Sequence, residues 1–268
     1  MGRFRSVTQQ NAGHWEVAII KTLVLKASPK KEGNSATIVG SFVKGLKDTG
    51  ENVVVEFFLN DLDIGPCRGC LNCQKSPSAG CAVDDDMQRI YPELRAADVV
   101  VFATPVYWWH VTSRMKAVLE RLMPMVTGED PSQLSGKKAV LVITYGVEDP
   151  NGSELVVKMF QSIAGWIGME LETIRYCGFR PVSGCQEKLA EAYDLGRAQK
   201  GWKTLPLTVK CAVKDCNAKF ANNEFAATHI MMASDPPHQT WKQEHNLQNL
   251  KEESELENGI REILESDQ

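Results

Sequence analysis

The sequence alternates, five times over, between a strand-length run rich in apolar, β-branched residues and an amphipathic stretch long enough for a helix. Runs such as Val99–Phe102 are apolar at every position, which is typical of strands covered on both faces. The alternation predicts a three-layer α/β domain with a parallel sheet. The predicted strands are Lys21–Ala27, Asn52–Leu59, Asp98–Thr104, Lys137–Tyr145 and Met169–Cys177, and the predicted helices are Ser35–Lys47, Asp85–Ala97, Ser113–Val126, Ser153–Ile167 and Glu187–Lys200.

The domain organisation follows from where this alternation begins and ends. We expect an N-terminal extension over residues 1–20, an α/β domain over 21–201, and a small C-terminal appendage over 202–268. For a five-stranded parallel sheet, the flavodoxin-like strand order is the natural expectation. The acidic, amphipathic end of the appendage suits a subunit contact or a docking surface.

Charge and composition exclude several classes of protein. With 30 basic and 34 acidic residues the net charge is −4. General binding of nucleic acid requires a positive field and is therefore not expected. No stretch approaches the roughly 20 apolar residues that span a bilayer. Eight cysteines without a secretory signal predict a soluble, cytoplasmic protein whose thiols hold metal or react.

The turn after the first predicted strand has the composition of a phosphate site. It reads Ala27-Ser28-Pro29-Lys30-Lys31-Glu32-Gly33-Asn34-Ser35-Ala36-Thr37 and contains neither a dinucleotide fingerprint nor a P-loop. Its hydroxyl and amide donors, its two lysines, a permissive Gly33 and a helix that starts at Ser35 favour a bound anion. A plain capped loop is the alternative interpretation.

Three consecutive aromatic residues follow the third predicted strand, within the segment Thr104–His110. Such a cluster is costly to expose unless a flat group, such as a flavin ring, packs on it. Pro105 stiffens the turn, and the backbone amides of residues 106–108 can reach the polar edge of such a ring. A third loop, which starts with Tyr145 and Gly146, can close over the same ring. The alternative is an aromatic cluster that only caps the sheet.

Two motifs at these strand ends resemble the flavodoxin-like NAD(P)H-dependent FMN reductase family over about residues 21–200. They are Ser-Pro-Lys-x-x-Gly-Asn-Ser after the first strand and Thr-Pro-Val-Tyr-Trp after the third. The resemblance implies that the first loop holds the FMN phosphate, with Lys30 where many relatives have Arg, and that the second lies along the isoalloxazine. Together with Gly33 and the third loop, the candidate cofactor-binding residues are Ser28, Lys30, Gly33, Asn34, Ser35, Ala36, Pro105, Val106, Tyr107, Trp108, Tyr145 and Gly146.

Four cysteines lie within fifteen residues after the second predicted strand. Cys67, Cys70 and Cys73 form a C-x2-C-x2-C run, and Cys81 follows after seven residues. The run resembles the ligation of a [4Fe–4S] cluster in bacterial ferredoxins, and its place in the chain resembles the iron–sulfur flavoprotein branch of the same family. This resemblance implies a cluster that passes single electrons to FMN.

Other interpretations of these cysteines stay open. Four thiolates also suit zinc, although zinc sites usually come as two separated pairs. Cys-x-x-Cys spacing also suits redox-sensing thiols or a disulfide, and many similar FMN reductases keep cysteines here without a metal. Cys177 and Cys185 lie outside the motif and are expected to be ordinary cysteines.

A second set of possible metal ligands lies in the appendage. Cys211-x4-Cys216-x12-His229 matches the first three ligands of a C2H2 zinc finger. The fourth, His238, follows after eight residues instead of about three to five, and Pro236-Pro237 prevents one regular helix from presenting both histidines on one face. Zinc binding and a small cap with incidental Cys and His are both kept as hypotheses.

The sequence therefore predicts an FMN-dependent oxidoreductase, either with a cluster in the Cys67–Cys81 segment or as a cluster-free NAD(P)H-dependent FMN or quinone reductase. The expected partners are a small-molecule acceptor or a redox protein such as ferredoxin, and the resemblance implies a homo-oligomer. No nucleic acid or membrane partner is expected. A non-catalytic flavin electron carrier and a metal-stabilised interaction module remain as alternatives.

Overall fold

A computed structural model of the chain describes residues 19–76, 80–126, 132–147, 150–202, 204, 209–214, 216, 219–220, 223–232, 236–245, 247 and 253–266. The expected N-terminal extension lies outside these ranges up to residue 18. The main sheet contains β1 (Lys21–Lys26), β2 (Val53–Phe58), β3 (Val99–Pro105), β4 (Lys138–Tyr145) and β5 (Glu170–Cys177). Each strand begins and ends within one residue of its predicted bounds.

All neighbouring strands of this sheet are parallel, in the order β2-β1-β3-β4-β5. The structure thus confirms the α/β, flavodoxin-like fold with a five-stranded parallel sheet. Successive side chains of β1 enter different cores, because Leu23 and Leu25 face one side of the sheet and Val24 the other.

Helices cover both faces of the sheet and form the outer layers. One face is covered by α1 (Asn34–Lys47) and α6 (Gln186–Ala198), and the other by α3 (Met87–Ala96), α4 (Ser113–Glu120) and α5 (Pro150–Ile167). The predicted helix over 113–126 ends early, at Glu120, and a short 3₁₀ turn over Met123–Met125 replaces its last part. Between β2 and α3 lies one further short helix, α2 (Asn72–Lys75).

Helices α1 and α6 approach each other so closely that glycine is required on both. A Cβ atom on Gly45 would lie 2.0 Å from the Tyr193 carbonyl oxygen, and one on Gly196 would lie 2.0 Å from the Phe42 carbonyl oxygen. Both obstructing atoms belong to the backbone, so they cannot move aside as a side chain can. This backbone-to-backbone contact fixes the separation of the two helices on that face.

The C-terminal appendage has an apolar core of its own. It contains a short antiparallel hairpin of β6 (Val209–Lys210) and β7 (Lys219–Phe220), followed by α7 (Asn223–Met232), α8 (Pro236–Glu244) and α9 (Glu253–Ser266). Pro236 and Pro237 open α8 rather than interrupt it, so two separate helices, α7 and α8, form in this region. Helix α7 packs against α9 and against α5 of the main domain. No helix in the described ranges is both long and apolar enough to cross a bilayer.

Candidate functional site

Three loops lie at the carboxyl edge of the sheet. Here β1 and β3 are neighbours, and from this point successive strands are added in opposite directions across the sheet. The backbone N–H of Ala27 donates to the Ala103 carbonyl over 2.8 Å, and Val106 N–H donates to the Thr144 carbonyl over 2.8 Å. These backbone hydrogen bonds between neighbouring strands therefore connect the starts of the loops that follow β1, β3 and β4. A ligand at this edge would contact all three.

The β1–α1 loop presents backbone amides at the start of a 14-residue helix. The first intrahelical hydrogen bond runs from Thr37 N–H to the Gly33 carbonyl at 3.0 Å, so the amides of Asn34, Ser35 and Ala36 precede it. Ser28 is buried and its Oγ accepts a hydrogen bond from the Lys30 amide at 3.2 Å. These are the features of an anion site at a helix N-terminus.

The two lysines of this loop differ in their surroundings. Lys31 Nζ lies 2.5 Å from the Asp61 carboxylate and 5.0 Å from the centre of the Phe58 ring. Lys30 is exposed, and no carboxylate pairs with it among the described residues. Lys30 is thus the cation that can turn toward an anion in this loop.

Asn34 and Ser35 are engaged by neighbouring segments. The Asn34 side chain donates to the Arg180 carbonyl at 3.1 Å and accepts from the Val182 amide at 2.9 Å, so it ties α1 to the segment after β5. Ser35 is buried, and its Oγ is hydrogen-bonded to Thr144 Oγ1 at 2.9 Å. Both side chains are therefore engaged within the protein, whereas the backbone amides of Asn34 and Ser35 precede the first intrahelical hydrogen bond of α1.

The tryptophan turn, residues Tyr107–His110, is a two-residue hairpin. Tyr107 and His110 exchange backbone hydrogen bonds of 2.8 and 3.1 Å, and Trp108 and Trp109 both have positive φ, 48° and 59°. Positive φ at both central positions is typical of a type I′ turn, which favours Asn and Gly rather than bulky residues. Strain of this kind is characteristic of functional sites. In this turn the Trp108 side chain is 90% exposed.

A cleft of about 340 Å³ opens beside the tryptophan turn, a volume at the lower end of those typical for small-molecule sites. The loop after β3 contributes Val106, Trp108 and Trp109 to its lining, and the end of β4 and the loop after it contribute Tyr145, Gly146 and Val147. The remaining wall comes from Gly152 and Ser153 at the start of α5. Its walls are largely apolar and aromatic, which suits a flat, conjugated ring.

Phe179 is a residue of this region that the sequence interpretation missed. Its ring lies over Gly146, where an added Cβ atom would come within 2.3 Å of the Phe179 Cε1 atom. The ring is otherwise 83% exposed. The signal available in the sequence was an aromatic residue just after a predicted strand. Gly178-Phe179 follows β5 at the same edge of the sheet.

The cysteine loop, residues Cys67–Cys81, holds its four thiols at the surface or half-buried. Gly69 N–H donates to Cys67 Sγ at 3.5 Å, and Leu71 has a positive φ of 58° just before α2. Burial raises the pKa of the Cys73 thiol, and the nearby Cys81 raises it further. This is opposite to the lowered pKa of a redox-sensing thiol.

The residues that flank the cysteine loop on both sides are hydrogen-bonded to one buried ion pair. Arg121 donates to both carboxylate oxygens of Asp85, at 2.7 and 3.0 Å, and also to the carbonyls of Gly65 and Val83 at 3.1 and 3.4 Å. The Arg121 backbone carbonyl accepts from the Tyr91 hydroxyl at 2.8 Å. The sequence interpretation did not identify this pair, because its members are 36 residues apart and neither belongs to a motif.

One set of possible metal ligands converges within the described ranges, and it lies in the appendage. The ligand atoms of Cys211, Cys216, His229 and His238 all lie within 4.8 Å of one another. The thiols of Cys67, Cys70, Cys73 and Cys81 are near enough to influence Cys73 but do not form such a set. Cys177 and Cys185 are half-buried and belong to neither group.

Comparison with known proteins identifies the family of the chain. Residues 20–171 match the family model of the NADPH-dependent FMN reductases. An iron-sulfur flavoprotein of Methanosarcina thermophila is 32% identical over 102 residues, 38% of this chain and 52% of that protein. An iron-sulfur flavoprotein of Archaeoglobus fulgidus is 29% identical over 178 residues, 66% of this chain and 77% of that protein. The chain thus spans about half the length of the first of these relatives.

The fold is also found in solved structures. An azoreductase from Bacillus anthracis superposes with a TM-score of 0.54 at 18% identity, over 67% of this chain and 100% of that chain. The family match covers more than half of the chain, from before β1 into β5. This chain belongs to the NADPH-dependent FMN reductase family.

Proposed function

We propose that this chain binds FMN across the carboxyl edge of its sheet and acts as an NAD(P)H-dependent flavin oxidoreductase. The observation that carries the proposal is that an anion site and an apolar, aromatic cleft lie at adjoining strand ends, on β1 and β3. FMN is a ligand with those two parts, a phosphate and a conjugated ring. When bound, it supplies the hydride and electron transfer, and the protein supplies binding and orientation.

The phosphate end of the flavin would be held by the β1–α1 loop. The amides of Asn34, Ser35 and Ala36 donate to the phosphate oxygens, and the positive end of the α1 dipole favours the negative charge. Ser28 and Gly33 shape the turn, and Lys30 adds a charge because Lys31 is already paired with Asp61. Asn34 positions this loop through its hydrogen bonds to residues 180 and 182.

The ring would occupy the cleft between the tryptophan turn and the start of the β4–α5 loop. Trp108 supplies a flat apolar surface, and Tyr145 and Gly146 also line the cleft. Pro105, Val106 and Tyr107 would lie beside the ring through apolar contact, because proline has no N–H and the Val106 and Tyr107 amides, which we expected to reach the polar edge of the ring, donate instead to the Thr144 and His110 carbonyls. Such walls exclude water from the reacting face while one side stays open for an electron donor or acceptor.

We also propose that Cys67, Cys70, Cys73 and Cys81 hold a [4Fe–4S] cluster. Four cysteine thiolates are the donor set of such clusters, and the Gly69 amide already donates to the Cys67 sulfur, as amides commonly do at cluster ligands. The relatives named above as iron-sulfur flavoproteins give this proposal independent support. The four sulfurs do not form a converged group among the described residues, so they would have to move together to bind the cluster. Such a cluster supplies single-electron transfer.

Anaerobic purification followed by a visible spectrum and analysis of flavin, iron and acid-labile sulfide tests both parts. We expect one FMN and four irons per chain, and bleaching of the flavin bands when NADH or NADPH is added. Cys70→Ala should lose the iron and sulfide and keep FMN, whereas the control Cys185→Ala should keep all three. A colourless protein that cannot be reconstituted with FMN would contradict the flavin site.

Iron analysis separates the two forms of the proposal. FMN at full occupancy without iron would identify a cluster-free NAD(P)H-dependent reductase. Iron that stays bound in Cys70→Ala would contradict the ligand assignment. Flavin that is not bleached by NADH or NADPH, but is reduced by a ferredoxin, would instead identify an electron carrier.

The proposed function also includes the molecules with which this chain exchanges electrons and its assembly with copies of itself. We propose a small-molecule acceptor or a small redox protein, and a homo-oligomer in solution. Turnover with quinones and free flavins as acceptors, together with light scattering of the purified holoprotein, tests these statements. Turnover that requires a protein acceptor would exclude the small-molecule reductase, and a monomer by light scattering would exclude the oligomer.

A further inference from the structure

Four metal-ligating side chains of the appendage are brought together from four separate segments. Cys211 follows β6, Cys216 precedes β7, His229 lies on α7 and His238 lies on α8. The hairpin therefore contributes the two sulfurs, and the two helices contribute the two imidazoles. None of these residues belongs to the flavin site or to the cysteine loop.

Three of the distances among these ligand atoms are close to those around a single tetrahedral zinc ion. A thiolate about 2.3 Å from zinc and an imidazole nitrogen about 2.0 Å from it lie about 3.5 Å apart, and two such nitrogens lie about 3.3 Å apart. Cys211 Sγ lies 3.6 Å from His238 Nε2, and Cys216 Sγ lies 3.4 Å from His229 Nε2. The two Nε2 atoms lie 3.0 Å apart.

The long gap between the histidines is explained by the helices. A single regular helix could not present His229 and His238 on one face, because Pro236 and Pro237 intervene. The chain instead ends α7 at Met232 and starts α8 with the two prolines, in the first turn, where a missing N–H costs little. His238 is the third residue of α8 and points its Nε2 back at the other three ligands.

The surroundings are those of a closed, structural metal site. Cys211 and His238 are 8% and 4% exposed, Cys216 and His229 are half-buried, and the Phe220 ring packs on the His229 ring with centroids 4.9 Å apart. The Val213 amide donates to Cys211 Sγ at 3.5 Å, an outer contact that favours a thiolate. Two thiolates and Zn²⁺ sum to zero charge, which suits a buried position.

A two-iron centre with the same residue types does not fit this arrangement. In a Rieske centre the two cysteines bind one iron and the two histidines bind the other. The sulfurs would then be separated from the imidazoles by the breadth of the cluster. Here each sulfur lies next to an imidazole, at 3.6 and 3.4 Å.

We propose that Cys211, Cys216, His229 and His238 bind one zinc ion, which fixes the β6–β7 hairpin to α7 and α8. The apolar core of the appendage is small, and small cores usually require a metal or another cross-link. Because α7 also packs against α5, the zinc ion fixes the part of the appendage that contacts the main domain.

Metal analysis of the untagged, full-length holoprotein by mass spectrometry tests the proposal. We expect about one zinc per chain, which falls at least tenfold in Cys211→Ser and in His238→Gln. Both variants should retain FMN and iron at wild-type levels. The matched controls are Cys185→Ser, which should change nothing, and Cys70→Ala, which should lose iron and keep zinc.

A second measurement covers variants that fail to fold. The wild-type protein is treated with a chelator and titrated with Co²⁺, which should bind at one equivalent, develop the intense visible bands of tetrahedral cobalt–thiolate coordination, and be displaced by Zn²⁺. Absence of both zinc in the purified protein and these bands would overturn the proposal. Zinc that persists in Cys211→Ser or His238→Gln, or iron in place of zinc at this site, would overturn it equally.

Discussion

Arg121 and Asp85 form a two-pronged ion pair in the interior, with side chains only 1% and 8% exposed. The pair also contacts both ends of the cysteine loop, through the Gly65 and Val83 carbonyls and through the Gly65 amide, which donates to Asp85 at 3.0 Å. A loop that carries four thiols is thereby anchored to the rigid domain, although its own residues contribute little to the core. Such outer contacts position metal ligands without touching the metal.

Arg121→Met tests this anchor, because it leaves Asp85 buried without its partner. We expect the free energy of unfolding to fall by about 3–5 kcal/mol, together with a loss of bound iron, measured by denaturant titration and iron analysis. Arg89→Met is the control, since the Arg89–Asp86 pair lies at the surface and its loss should change the free energy of unfolding much less. Equal effects of the two substitutions would contradict the anchoring role.

The same pair predicts a pH dependence of stability. Burial alone would raise the pKa of Asp85, but hydrogen bonds from Arg121 and from the Gly65 and Met87 amides outweigh it, so the pKa lies below its ordinary value. The carboxylate therefore stabilises the fold above its ordinary pKa, and this contribution is lost as the pH falls through the lowered value. The difference in unfolding free energy between wild type and Asp85→Asn should shrink below about pH 4. A difference that stays constant from pH 7 to pH 3 would contradict it.

Trp108→Asn should separate stability from flavin binding. Asn tolerates positive φ, and the Trp108 side chain is 90% exposed, so the apoprotein should be unchanged or more stable by up to about 1 kcal/mol. FMN should bind about tenfold more weakly, because the flat apolar surface is lost. Trp166→Ala, near the opposite end of α5 from the cleft, serves as the control in a fluorescence titration. Unchanged FMN affinity in Trp108→Asn would count against the ring site.

Two glycines of α1 should respond to alanine in opposite ways. Gly45→Ala should destabilise the domain by about 3 kcal/mol, because the added carbon meets the backbone of α6. Gly40→Ala should stabilise it by about 0.5–1 kcal/mol, because a Cβ atom there meets nothing within 4 Å and alanine favours a helix. Thermal and denaturant unfolding measure both, and a stable Gly45→Ala would show that α1 and α6 are not in close contact.

The parts of the fold that are encoded locally could be predicted from the sequence. Strand bounds follow from contiguous apolar runs, and the predicted loops at the ends of β1 and β3 lie next to each other because parallel strands share an edge. The tryptophan turn could be located but its backbone could not be predicted, since nothing in Trp108-Trp109 favours positive φ. That conformation is imposed by the hydrogen bonds between Tyr107 and His110.

Features that depend on distant partners could not be predicted in the same way. Arg121 reaches across 36 residues to Asp85, and each residue is ordinary in its own segment. Pro236 and Pro237 would prevent His229 and His238 from sharing a metal site if both lay on one helix. They lie on two helices, α7 and α8, so the prolines do not prevent it. The start of a second helix at that point depends on tertiary packing, which local propensity does not describe.

The proposed flavin site requires that the β1–α1 loop bind the FMN phosphate, and the affinities for FMN and riboflavin test this requirement. In the wild-type apoprotein FMN should bind far more tightly than riboflavin, which lacks the phosphate. Lys30→Met should weaken FMN about tenfold and leave riboflavin unchanged, whereas Lys31→Met, whose charge is paired with Asp61, should change neither. Equal affinities for FMN and riboflavin in the wild-type protein would show that the β1–α1 loop does not bind the phosphate.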